Sequence, residues 1–309
     1  MKNIDLNEIR RNLQKLKEMD LGAISYNEII NIINREILLP VVVTEVRAGN
    51  FIERVRINRK NEIFTSKNEL SYRTDIENIK TFGRANAPGS SIFYGAVISS
   101  PIQLPRIVAL AETEEVLRGK EKGMVDKDIL ITISRWQIIK NMHLSEMVFK
   151  RDRIANTPEI EKAYQFHLKL FRENMPEENV QILISILEFY SEEFAKPKIT
   201  TDADYKISAA YAESIFKTGR VHGIIYPSVR TDYEGSNVAL LPQTVDEHLQ
   251  FEEAFITHVR IRGKKVFLDN LARTGLVDSN TNSLEWYKME PAPEEVKNIF
   301  FSHQNLSDL

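Results

Sequence analysis

Residues 83–98 read GRANAPGSSIFYGAVI: a Gly/Ala/Pro/Ser-rich stretch with one arginine, then an apolar run carrying a tyrosine. Three readings compete for it: a phosphate cradle, a turn feeding a strand, and part of an active site. A Walker loop needs GxxxxGK[ST], which is missing, and a dinucleotide fingerprint needs GxGxxG between a strand and a helix. Here the glycines are Gly83, Gly89 and Gly95, and a strand rather than a helix follows. Both nucleotide-fold readings therefore fail on context. A turn ahead of a strand over 92–98 remains, with the active-site reading open.

Working outward, LPRIVALAETEEVLR at 104–118 predicts a helix, with Pro105 in its first turn and Gly119 past its end. DILITISRWQII at 128–139 predicts a strand, as do the β-branched runs VVVTEVRA and NFIERVRI upstream. Before them, Leu6, Ile9, Leu13 and Leu16 recur at steps of three or four, the mark of one helix face over 5–19. Ser25 and Glu28 have capping-box spacing for a second helix over 25–37, which Pro40 stops. Residues 157–219 read as mostly helical, broken at Met175-Pro176 and Lys196-Pro197. VHGIIYPSV at 221–229 and NVALLP at 237–242 return to strand character, and 251–270 resembles a hairpin with a Gly-Lys turn.

The expected fold is thus α+β. A helical hairpin spans 1–40, a mixed β core spans 41–270 with a helical insertion at about 140–219, and a C-terminal extension covers 271–309.

The chain has 309 residues, 42% hydrophobic and 28% charged, with a formal net charge of -3. That suits a soluble globular protein and gives no field that favours nucleic acid or anionic membrane. The absence of cysteine removes disulfides, cysteine metal sites and a thiol nucleophile, and fits a cytoplasmic setting. The N-terminus is charged and amphipathic rather than a signal peptide, and the apolar stretch at 180–190 is too short to span a bilayer.

Metal chemistry has little support. His143, His167, His222, His248, His258 and His303 are scattered without HExxH or paired spacing, so no metal is expected. A serine hydrolase would want GxSxG, which is missing; Ser228 in YPSVR reads alone as a turn serine. The cluster AETEEVLR offers Glu112, Glu114 and Glu115, whose plain reading is a solvated helix face. Glu112 follows the apolar run Ile107–Ala111, however, and a partly buried carboxylate is the better candidate for chemistry.

Four stretches together resemble the RES-domain family. They are GRANAPG with Arg84, Asn86 and Gly89; Tyr94 ten residues after Arg84; ALAE ending in Glu112; and GIIYPSVR with Ser228. An earlier family arginine best matches Arg54, with Arg56 as the alternative. The resemblance covers roughly 45–245, and the chain departs from compact members in its N-terminal hairpin, in extra residues between Tyr94 and Glu112, and in its helical insertion. Those extra residues leave Glu114 and Glu115 as alternatives to Glu112.

The resemblance implies an ADP-ribosyltransferase-like fold and cleavage of NAD between nicotinamide and ribose. NAD would be the substrate, with no cofactor required. It implies Glu112 for the oxocarbenium-like ribose, Arg84 and Arg54 for the phosphates, and Tyr94 to stack against nicotinamide or order the ribose. Asn86 and Gly89 would shape the loop between Arg84 and Tyr94, and Ser228 would hydrogen-bond Glu112 or the nicotinamide-ribose region. The acceptor stays open among water, phosphate and a macromolecule, as does an inactive, binding-only member. The resemblance further implies a toxin paired with a helix-turn-helix antitoxin. The helical additions are read three ways: a surface for another partner, self-association, or completion of the core.

Overall fold

The computed structural model describes residues 6–113, 126–150, 152, 158–263, 265–275 and 282–302. Among the described residues, ten strands form one sheet: β1 (Val43–Val46), β2 (Phe51–Ile57), β3 (Phe93–Val97), β4 (Lys127–Ile138), β5 (Met142–Glu146), β6 (Gly223–Pro227), β7 (Ser236–Leu240), β8 (Leu249–Arg262), β9 (Lys265–Thr274) and β10 (Tyr287–Lys288). Their spatial order is β1-β5-β6-β7-β3-β2-β4-β8-β9-β10, and β5–β6 is the parallel pair among antiparallel neighbours. The architecture is α+β with a large mixed sheet, as the order of elements predicts.

The helices are α1 (Leu6–Glu18), α2 (Tyr26–Glu36), α3 (Lys67–Leu70), α4 (Pro105–Thr113), α5 (Pro158–Asn174), α6 (Glu177–Phe194), α7 (Lys206–Phe216), α8 (Pro242–His248) and α9 (Glu294–Ser302). Ser25 caps α2 through the expected box, its side chain accepting from the Glu28 amide while the Glu28 carboxylate accepts from the Ser25 amide. Helices this short do not hold alone in water, so their apolar faces must find cover. Ile9, Leu13 and Leu16 of α1 and Ile29, Ile32 and Ile33 of α2 join Tyr190 and Phe194 of α6 and Ile207, Tyr211 and Ile215 of α7 in one core. That core reaches the sheet at Tyr94, Ile224 and Tyr226. The N-terminal hairpin and the inserted helices α6 and α7 therefore make one helical layer. On the other face, Phe93, Trp136 and Phe251 meet edge-to-face at 5.6 and 5.3 Å.

The stretch expected to be helical from about 140 opens instead with β5, and its helices begin at Pro158. MHLSE holds no β-branched or aromatic residue to announce a strand, but its alternation works in the sheet: Met142 and Leu144 are buried and His143 is exposed. Past the 251–270 hairpin, β9 runs on to Thr274 and β10 pairs with it.

Two features open a gap on the helical face of the sheet. First, β2 and β3 pair only at Ile52–Val97 and Glu53–Ala96; beyond that β2 follows β4 and β3 follows β7, so the sheet splits. Second, α4 lies on the same face as the helical layer, with Val108, Ala109 and Leu110 packed on Val55, Ala96, Ile131 and Ile133. Its N-terminus is fixed by Glu53, which is 2% exposed. The Glu53 carboxylate accepts from the Arg106 amide at 2.8 Å, from Arg106 Nη2 at 2.5 Å and from Arg135 Nη2 at 3.1 Å. Glu53→Ala strands two guanidiniums and frees the helix end, so we expect a loss of about 3 kcal/mol in urea unfolding. A loss below about 1 kcal/mol would show that the network does not hold α4.

Candidate functional site

A cleft of about 220 Å³ opens where α4 and the helical layer part, over the split between β2 and β3. Its walls carry Arg54, Arg84, Tyr94, Glu112, Tyr205, Tyr226 and Asn237. Strand register explains the floor: Tyr226 of β6 stands beside Asn237 of β7, and Asn237 beside Ala96 of β3. Helix α4 lays Ala109 and Glu112 over this row.

Glu112 Oε1 accepts from Ser228 Oγ at 2.7 Å and from Asn237 Nδ2 at 2.9 Å. Ser228 is fully buried, and a tight loop fixes it: its amide donates to the Gly235 carbonyl at 2.7 Å and its carbonyl accepts from Tyr233 at 2.9 Å. Asp232 and Tyr233 in that loop both have left-handed backbones, φ 51° and 70°. Such strain in non-glycine residues persists only where the surroundings impose it. Here the buried Tyr233 side chain packs with Phe149 and Leu187.

The GRANAPG loop is held by Tyr94. Its hydroxyl accepts from the Ala85 amide at 2.9 Å and donates to Asn86 Oδ1 at 2.8 Å. Burial pushes this phenol up, so it stays protonated and remains a donor. Asn86 bridges back to Gly83 through its carbonyl at 2.9 Å. A Cβ at Gly83 would meet Asn86 Oδ1 at 2.4 Å, so only glycine permits the closure. Gly89 has φ +76°, the left-handed turn that glycine adopts without cost.

Arg84 is 7% exposed, and its guanidinium is engaged. Nη1 donates to the Phe194 carbonyl at 2.5 Å and Nη2 to the Lys196 carbonyl at 3.3 Å, while Cζ sits 5.3 Å from the Tyr205 ring. It thus satisfies the C-terminal end of α6, where a cation is favoured by the helix dipole. Arg54 fills the sheet's split, donating Nη1 to the Tyr94 carbonyl at 2.7 Å. Its Nε has no hydrogen-bond partner among the described residues. Burial first, and then Arg56, lower its pKa to about 10, so it is still charged at neutral pH. Arg56 turns elsewhere, onto the Glu69 carbonyl and the Phe64 ring.

The sequence-predicted Arg54, Arg84, Tyr94 and Glu112 therefore border one cleft, with Ser228, Asn86 and Gly89 behind it. Glu114 and Glu115 lie outside the described residues. Asn237, Tyr205 and Tyr226 escaped the sequence reading. Asn237 had a signal in hindsight, a polar residue in the otherwise apolar strand NVALL. Among the described residues, no group of three or more His, Asp or Glu could hold a metal ion, and no helix is long and apolar enough to cross a membrane.

The family model of the RES domain matches residues 144–261, bearing out the resemblance read from the motifs. The match includes Ser228 and Asn237; Arg54, Arg84, Tyr94 and Glu112 fall before it. Among solved structures, the M. tuberculosis MbcT-MbcA toxin-antitoxin complex is similar at 10% identity and a TM-score of 0.29, over 69% of this chain and 86% of that chain. No curated protein matches the chain.

Tyr94→Phe leaves the Ala85 amide and Asn86 Oδ1 without their partner. We expect a loss of roughly 1–3 kcal/mol in denaturant unfolding, with faster proteolysis of the 83–89 loop. Stability equal to wild type would show that the hydroxyl does not hold the loop.

Proposed function

We propose that this protein cleaves NAD at the bond between nicotinamide and ribose, passing the ADP-ribosyl group to water or phosphate. The observation that carries this reading is the pairing of charges across one small cleft. Glu112 is oriented by Ser228 at 2.7 Å and Asn237 at 2.9 Å, and it shares the cleft with Arg54 and Arg84. Departure of nicotinamide builds positive charge on the ribose, and a fixed carboxylate stabilises that charge more than it stabilises the ground state. The pyrophosphate needs cations. Arg54 supplies a partly desolvated one whose Nε has no other partner among the described residues. Arg84 contributes charge beside it while its Nη atoms stay with α6.

Tyr226 completes the ribose side. Burial first, and the Glu112 carboxylate next, push its phenol up, which keeps it a hydrogen-bond donor at neutral pH. NAD is then a substrate, and the residues named require no further cofactor. An enzyme of this kind depletes NAD in the cytoplasm and acts as a toxin unless a partner, such as a helix-turn-helix antitoxin, covers the cleft.

The test is nicotinamide release from NAD by purified protein, with and without phosphate. Glu112→Gln should lower kcat about 100-fold or more, and Ser228→Ala by about tenfold. Arg54→Ala should act mainly on KM. No release by wild type would sink the reading, and equal release by wild type and Glu112→Gln would sink the assigned role. Expression in a bacterial host should slow growth, and Glu112→Ala should relieve that effect.

A further inference from the structure

Among the described residues three tyrosines line the cleft, and two are already engaged. The Tyr94 hydroxyl is used on the 83–89 loop. Tyr226 is 6% exposed, with its ring 5.6 Å from that of Phe194. Tyr205 differs from both. It is half-buried, and its hydroxyl makes no hydrogen bond among the described residues. It comes from the helical insertion, at the end of a 3-10 turn spanning Asp202–Tyr205.

That turn is pinned on several sides. Thr201 opens it with a capping box, in which Asp204 accepts from the Thr201 amide at 3.1 Å. Asp202 accepts from the Phe82 amide at 3.0 Å, one residue before the GRANAPG loop. Next to Tyr205, Lys206 donates to the carbonyls of Leu21 and Ile24 between α1 and α2, at 2.6 and 2.7 Å. Phe82 in turn packs on Tyr26 of α2 at 5.1 Å. A local capping box and two distant segments, at residue 82 and between α1 and α2, thus hold one aromatic ring at the cleft, 5.3 Å from the Arg84 guanidinium. A ring fixed this way loses little entropy when a flat group lies on it.

We infer that Tyr205 is a substrate-contacting residue, the aromatic face on which the pyridinium base of the substrate stacks; this rests on the NAD-cleaving reading above. The oxidised base is flat and positively charged, and a tyrosine face attracts both properties. The helical additions then have a direct task in recognition, because they carry the ring and the contacts that aim it.

The experiment is steady-state nicotinamide release by wild type, Tyr205→Phe, Tyr205→Leu and Tyr205→Ala, with melting temperatures alongside. Tyr205→Leu and Tyr205→Ala should raise KM for NAD about tenfold with kcat within about threefold of wild type. Tyr205→Phe should keep KM within about threefold, since the ring remains. Unchanged KM in the Leu and Ala variants would overturn the inference. So would a fall in kcat with KM unchanged in the Leu and Ala variants that tracks a lower melting temperature, which marks a purely structural ring. Failure of the underlying reading is distinct: the wild-type control itself would release no nicotinamide and show no NAD-dependent rise in melting temperature.

Discussion

A carboxylate buried in the middle of the sheet sets the geometry of everything around the cleft. Glu53 receives the first free amide of α4 and two guanidiniums, one from that helix and one from β4. Charges at this depth are costly unless each finds partners, so the network tolerates one arrangement of helix against sheet. With the start of α4 fixed there, its last turn brings Glu112 over Asn237 and within reach of Ser228. The carboxylate proposed for chemistry depends on a second carboxylate that never touches the cleft.

The opposite wall depends on packing rather than charge. The hairpin α1–α2 and the inserted α6 and α7 share one apolar core, and neither pair is covered without the other. Arg84 ties this layer to the loop at 83–89 by holding the carbonyls at the end of α6. The same residue therefore belongs to the helical layer, the loop and the cleft. Its truncation would disturb all three at once, so Arg84 variants report on folding as well as on binding.

Local pattern carried most of the fold into the sequence. The capping box at Ser25, the proline breaks near 176 and 197, and the β-branched runs each act within a few residues, and the elements formed where they point. β5 was hidden because MHLSE lacks the β-branched and aromatic residues that marked the equally short β3, β6 and β7. For the site, Arg84, Tyr94, Glu112 and Ser228 were legible through motif spacing, and the Ser228–Glu112 hydrogen bond was among the anticipated partners. Tyr205 was not legible, because its place depends on how the insertion folds back on residue 82. Topology also stacks His143, His222 and His248, with ring centroids 5.9 and 4.5 Å apart, although nothing in their spacing announces it. Burial, then His248 and His143, lower the His222 pKa, so the His222 ring is held toward its neutral form.

The hydrogen bond from Ser228 to Glu112 spans 116 positions of sequence, and the one from Asn237 spans 125. Contacts so distant form late, since their loops must close first. During synthesis, a chain still short of residue 228 carries Glu112 without either donor, and one short of residue 194 leaves Arg84 without its helix end. A nascent chain therefore cannot assemble the cleft piecemeal. Whatever chemistry the cleft performs begins only once the chain through Asn237 has left the ribosome, so folding itself times the onset of activity.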